Sequence, residues 1–301
     1  MSEELADVGR GITLAYEQLG NPDGIPLLLI TGLGQQLHGW PDGFCELLVE
    51  RGYRVVRFDN RDVGRSTHVD FPPARPVAML RRRWDPRQYD LGDMAADTVG
   101  LLDALGLASV HIVGASMGGM IAQTVAARYP ERVASLVSMM STTGARRVGR
   151  PALSTWRLMM GRPSRSRAEF ADRGVRMWRH IGAPGYPFDE AAVREIAGRS
   201  WDRDPSPLGV ARQLAAVIKS GDRTAEVRRI TAPTLVVHAD RDLMVNQSGG
   251  ASTAAAIPGA RLRTVPGLGH DLPRGAWPTL VELLDDHVRS AASRSSDASN
   301  A

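Results

Sequence analysis

The stretch Val110-His111-Ile112-Val113-Gly114-Ala115-Ser116-Met117-Gly118-Gly119 constrains this chain more than any other. Its apolar start is short enough for a buried strand, and the run stops at Gly114. Met117-Gly118-Gly119-Met120-Ile121-Ala122-Gln123 then reads as the opening of a helix, with Ser116 at the hinge. A turn this sharp brings helix and strand backbones together, which glycines two positions either side of the serine permit. It also lifts the serine oxygen above the end of a sheet. The first N–H groups of the helix have no intrahelical partner, so that of Met117 is free to donate to an oxyanion formed beside Ser116.

The rest of the chain supplies a frame for that turn. Ile12 to Leu19 alternates as a strand, Leu27 to Ile30 is a continuous apolar run, and Tyr53 to Phe58 is a third strand. Gly43 to Arg51 reads as a short helix, and apolar residues from Leu91 to Leu105 recur at helical spacing before Gly106. Val133 to Met140, Thr234 to His238 and Leu262 to Val265 complete seven strands, and Thr279 to Val288 forms a closing helix. Residues 70 to 88 are too rich in proline for one regular element. Strands alternating with helices predict an α/β fold with a mostly parallel sheet covered on both faces. Between residues 144 and 228 the alternation gives way to helical segments separated by Pro- and Gly-rich joints. This block reads as a lid inserted into a core made of residues 1–143 and 229–290, with 291–301 as a small, polar, flexible tail.

Ligands on parallel sheets bind at the carboxyl ends of strands, and three further loops lie there. The run ending at Ile30 is followed by Thr31-Gly32-Leu33-Gly34. A dinucleotide-binding loop would need a third glycine where Leu37 stands, so the backbone N–H of Leu33 is read as a second oxyanion donor, with Gly32 and Gly34 close to substrate. His38 and Trp40 either line the pocket entrance or pack in the core. Serine needs an imidazole to take its proton, and the imidazole needs a carboxylate to hold its tautomer. Of seven histidines, His270 alone sits in a glycine-hinged loop after the last strand. Asp242 is preferred as its carboxylate partner over Asp240, which follows the strand almost at once, and over Asp271, which is read as bracing the loop. The polar turn from Asp59 to Ser66 is read as structural.

Composition excludes several classes. The single cysteine, Cys45, rules out a disulfide framework within the chain, and no histidine spacing resembles a metal-binding pair, so neither a metal nor a cofactor is expected. The acidic N-terminus lacks an apolar leader core and no stretch approaches membrane-spanning length, which points to a cytoplasmic protein. The net charge of +4 is uneven, with 17 Lys and Arg against 9 Asp and Glu in residues 144 to 228. With no nucleic-acid module and one lysine, this reads as a solvated face or a rim attracting anions rather than a nucleic-acid surface. Homo-oligomerisation is left open.

Taken together, Gly32-Leu33-Gly34, Asp59-x-Arg61 to Ser66, Gly114-x-Ser116-x-Gly118, Asp242 and Gly269-His270 resemble the α/β-hydrolase superfamily with a helical cap. Gly-Trp-Pro-Asp at 39–42, Arg61 to Ser66 and Gly-His-Asp-Leu-Pro at 269–273 are similar to serine carboxylesterases of the aclacinomycin methylesterase type and related lipase-like esterases. The resemblance implies an eight-stranded sheet, no cofactor, a catalytic Ser116, Asp242 and His270, and an ester substrate, with a methyl ester on a polycyclic acid as one case. Thr31 departs from the histidine, and Ala239 from the glycine, that many members carry. The same residues also serve cofactor-free perhydrolysis or hydrolysis of a carbon–carbon bond beside a carbonyl, and a non-catalytic small-molecule receptor is the remaining reading.

Overall fold

The computed structural model describes residues 2–299. Eight strands form one sheet in the order β1-β2-β4-β3-β5-β6-β7-β8, built from β1 (Glu4–Asp7), β2 (Thr13–Leu19), β3 (Ile25–Ile30), β4 (Tyr53–Phe58), β5 (Val110–Ala115), β6 (Val133–Met139), β7 (Thr234–Ala239) and β8 (Arg261–Val265). β1 and β2 run antiparallel to their neighbours, and the other strands are parallel. The strand missed by periodicity is β1. It is an edge strand with only Ala6 buried, so no apolar alternation announces it.

The apolar run of β3 shows how the core is divided. Leu28 and Ile30 enter one cluster with Ile112 of β5, while Leu27 and Leu29 enter the other with Val113. Helices α3 (Leu91–Ala104) and α4 (Met117–Arg128) cover the first face, and α1 (Asp42–Val49) and α11 (Trp277–Ser299) the second. Asp90 caps α3 by accepting from Gly92 and Asp93 amides while the Asp93 carboxylate accepts the Asp90 amide. The proline-rich excursion carries one short helix, α2 (Pro76–Leu80), started by its own proline at the first turn. α11 continues to Ser299, past the point where a flexible tail was expected. The apolar stripe Leu280, Leu284, Val288 runs on into buried Ala291. Asn300 and Ala301 lie outside the described residues.

Between β6 and β7 the chain passes through α5 (Leu153–Met159), α6 (Arg167–Ile181), α7 (Glu190–Arg203), α8 (Pro207–Ser220) and α9 (Thr224–Val227), with no strand among them. Ala216 of α8 and Val227 of α9 are buried in the core cluster of α3 and α4, so the insertion is rooted in the sheet domain. α10 (Ser248–Ala256) follows β7 and went unread because Ser-Gly-Gly-Ala-Ser-Thr-Ala-Ala-Ala has no apolar period. Its glycines are needed for contact, since a Cβ on Gly250 would strike the His238 ring. Among the described residues no helix is long and apolar enough to cross a membrane.

Buried charges fasten the insertion to the loops at the strand ends. Asp59 is fully enclosed and accepts from the Leu37 amide at 2.6 Å, the Arg65 amide at 3.0 Å and the Arg203 guanidinium of α7 at 2.7 Å. Asp62, equally enclosed, takes Arg212 of α8 at 2.6 Å and Tyr89 Oη at 2.7 Å. The turn read as structural is thus the seat of the insertion. Nearby, Arg57, 1% exposed, bonds Glu17 and Asp42 at 2.6 Å each. Arg57→Met leaves the buried Glu17 carboxylate unpaired, and an unfolding free energy lower by about 3 kcal/mol is expected in urea titration; a loss below about 1 kcal/mol contradicts that role.

Candidate active site

β5 ends at the serine turn. Ser116 adopts φ 56° and ψ −121°, a region costing a non-glycine residue roughly 1–3 kcal/mol, and its backbone is held by Ser116 N–H to Met139 O at 2.9 Å and Ser141 Oγ to Ser116 O at 2.8 Å. Both flanking glycines are sterically required. A Cβ on Gly114 would meet the Gly118 carbonyl, and one on Gly118 would meet the carbonyls of Ile30 and Thr31. Helix α4 can therefore begin directly against β3 and β5. Met117 is its first residue, so its N–H has no acceptor within the helix.

The loop after β3 lies alongside. A Cβ on Gly32 would sit 3.2 Å from Ser116 Cβ. The Gly32 amide is taken by Gln35 Oε1 at 3.3 Å and the Gly34 amide by Gln213 Oε1 of α8 at 2.9 Å, while the Leu33 amide between them donates to no acceptor among the described residues. Thr31, in the place of the common histidine, donates its hydroxyl to Gln35 O at 3.2 Å and accepts from Asn60 Nδ2 at 3.3 Å. Two loop amides are thus committed and one is open. Gln35 and Gln213 were not found from the sequence, and Asn60 was read only as part of the structural Asp59 to Ser66 turn; their bonds run to the Gly32, Gly34 and Thr31 segment, and no local pattern in the chain announces them.

The third and fourth loops follow β7 and β8. His270 Nδ1 lies 2.7 Å from Asp242 Oδ2, while Asp242 Oδ1 accepts the amides of Met244 and Val245 at 2.8 and 2.7 Å. A carboxylate only accepts, so Nδ1 donates in this bond, and in the neutral ring Nε2 is the nitrogen left to accept a proton. The competing carboxylates have other duties. Asp240 Oδ1 accepts the Gly267 amide at 2.7 Å, which braces the loop leading to His270. Asp271 faces the insertion, with Oδ2 near Gly182 and Oδ1 buried without a partner. The His270 amide donates to Ile181 O at 2.7 Å, and the Gly185 amide to Gly267 O at 2.9 Å, so the end of α6 is pressed onto the histidine loop. His238, buried under the acid loop, donates to Val245 O at 2.9 Å. Ser116 Oγ itself makes no hydrogen bond among the described residues.

The two remaining candidates are enclosed. Trp40 is 1% exposed and stacks on Phe44 at 5.7 Å, so the core-packing alternative, not the pocket entrance, describes it. Its large ring removes more apolar area from water there than at a rim. His38 is 6% exposed, and burial with nearby Arg199, Arg57 and Arg203 pushes it down to about 3, so it stays neutral. Cys45 is buried, with its thiol pushed up to about 12 by burial. No group of three or more His, Cys, Asp or Glu side chains that would hold a metal ion occurs among the described residues.

Residues 25–273, most of the chain, match the family described as alpha/beta hydrolase fold. The chain belongs to the α/β-hydrolase family. It is 31% identical over 303 residues to rhodomycin D methylesterase DnrP of Streptomyces peucetius, covering 93% of this chain and 96% of that protein. It is 29% identical over 253 residues to a non-heme haloperoxidase of Rhodococcus erythropolis, covering 78% and 84% of the two. Among solved structures, the enol-lactonase from Burkholderia xenovorans LB400 superposes with a TM-score of 0.74 over 95% of this chain and all of that one, at 22% identity. That likeness is one of fold.

Burial raises the Asp271 carboxyl to about 6, against the opposing pull of the Ala183 amide and His270. The native state therefore holds this proton where the unfolded chain, titrating near 3.8, has released it. Asp271 favours folding most fully below that lower value, and its contribution is lost as pH rises to about 6. Asp271→Asn removes this dependence. Stability of the variant relative to the parent, followed by urea unfolding between acid and neutral pH, is expected to increase as pH rises through that window; a flat difference refutes it.

Proposed function

We propose that this chain is a serine esterase acting on carboxylic esters of small or medium apolar acids through an acyl-enzyme intermediate. The observation that carries the reading is the 2.7 Å Asp242–His270 bond on the strand-end edge that also bears the strained Ser116 turn. His270 Nε2 takes the Ser116 proton as Oγ attacks the ester carbonyl. The Leu33 and Met117 amides receive the oxyanion, with Gly32 and Gly34 keeping the loop close. The proton passes from His270 to the leaving alcohol, and a water deprotonated by His270 releases the acid. Asp242 holds the imidazole tautomer and stabilises its charged form.

The methylesterase relative supports a methyl ester, on a polycyclic acid in the fullest version of the reading. Residues 144–228 act as the lid that excludes water and shapes the acyl pocket. The haloperoxidase relative supports a second reading with the same residues, in which hydrogen peroxide replaces water as the acceptor of the acyl group and yields a peracid.

A fluorophosphonate probe followed by peptide mass spectrometry is expected to label Ser116, and Ser116→Ala is expected to lower kcat on methyl and p-nitrophenyl esters by on the order of a thousandfold or more. Labelling elsewhere, or a Ser116→Ala variant as fast as the parent, overturns the assignment. Tight binding of an unhydrolysed ester by the parent chain identifies a receptor instead. Rates measured with and without peroxide separate the two enzymatic readings.

A further inference from the structure

The arginine-rich start of the insertion has no part in the chemistry above, and the structure shows what it presents. Residues 144 to 167 contain seven arginines and no aspartate or glutamate. Six of these arginines form no ion pair among the described residues, the exception being Arg167 with Asp202. Within this segment α5 turns Thr155 inward, where its hydroxyl donates to Leu243 O at 3.0 Å. Leu153, Trp156 and Met160, spaced for one face of the helix, point outward and are 85%, 40% and 75% exposed.

A second segment of the same character meets the first. Arg81, Arg82 and Arg83 follow α2, whose Val77 and Leu80 are 59% and 85% exposed, and no acidic residue occurs from 71 to 84. Arg82 donates to Lys219 O at 3.3 Å and lies against Gly221, and Gly221 in turn packs against Gly144, two residues before Arg146-Arg147. Two sequence-distant stretches thus meet at Gly221 and Gly144, and each carries unpaired arginines and protruding apolar side chains.

We propose that these two stretches dock the protein on an anionic phospholipid bilayer. Guanidinium forks pair with phosphodiester oxygens in two-point fashion, and the surplus of unpaired positive charge complements an anionic headgroup layer. Leucine, methionine and tryptophan standing out singly between arginines suit a fluid interface that closes around them. An RNA partner would leave the aliphatic side chains without a role, since it is stacking on aromatic rings that holds splayed bases. α5 is fastened through Ala152 and Thr155 to Leu243, the neighbour of Asp242, so the docked face adjoins the loops of the site.

The test uses the full chain and vesicles of phosphatidylcholine with or without phosphatidylglycerol. The parent is expected to sediment with the anionic vesicles and to be released by salt, with little binding to phosphatidylcholine alone. Arg146→Glu with Arg147→Glu, and separately Leu153→Ser with Met160→Ser, are each expected to weaken partitioning by at least roughly tenfold. Their melting temperatures stay at parental values, so the weaker partitioning does not come from unfolding. Absence of vesicle binding, equal binding to neutral vesicles, or unchanged partitioning of both variants overturns the proposal. Preferential capture of an RNA homopolymer, or a concentration-dependent dimer dispersed by the Leu153/Met160 pair, overturns it in favour of that occupant. Vesicle binding without esterase activity leaves it standing and removes only the proposed function.

Discussion

Contact between the first turn of α4 and the ends of β3 and β5 is the constraint on which everything else rests. It is a backbone-to-backbone contact, with Gly118 under the Ile30 and Thr31 carbonyls and Gly114 under Gly118. No side chain fits in either place. Because the strand must reverse into the helix within a residue, Ser116 is driven to positive φ, and its strain is balanced by the buried sheet on one side and by α4 on the other. The same closeness leaves the Met117 amide and the loop of Gly32 to Gly34 beside the serine without any side chain needing to aim them.

Around that contact, order at the strand ends is imposed by buried polar groups rather than by apolar packing. Asp59 and Asp62 are wholly enclosed, and each is satisfied only when a particular arginine of the insertion, Arg203 or Arg212, arrives. Burying these charges contributes little net stability, but a shifted insertion would strand them unpaired at a cost of several kcal/mol. Gln213 extends the arrangement to the Gly34 amide, and Ile181 to the His270 amide. The insertion is therefore tied directly to the loops of the candidate site. Arginine here has two uses: buried, it seats the insertion, and along residues 144 to 165 six exposed arginines stand without an ion pair among the described residues.

Much of this was legible in the chain itself, for physical reasons. A continuous apolar run as short as Leu27 to Ile30, followed by Gly32, reads as a strand buried on both faces, and a serine between paired glycines after such a strand and before a helical pattern reads as a tight turn. These features determine the parallel sheet, the elbow and the order of the loops after it, since each depends on residues adjacent in sequence. β1 and α10 escaped because an exposed edge strand and a helix of small residues carry no apolar period. The sequence preferred Asp242 to Asp240 and Asp271, but its bond to His270, the enclosure of Trp40, the hold of Gln213 on the Gly34 amide and the meeting of Arg82 with Gly221 were decided only by the tertiary structure. Each of these joins residues far apart in sequence or turns on which way a side chain faces, and only packing of the whole chain sets that.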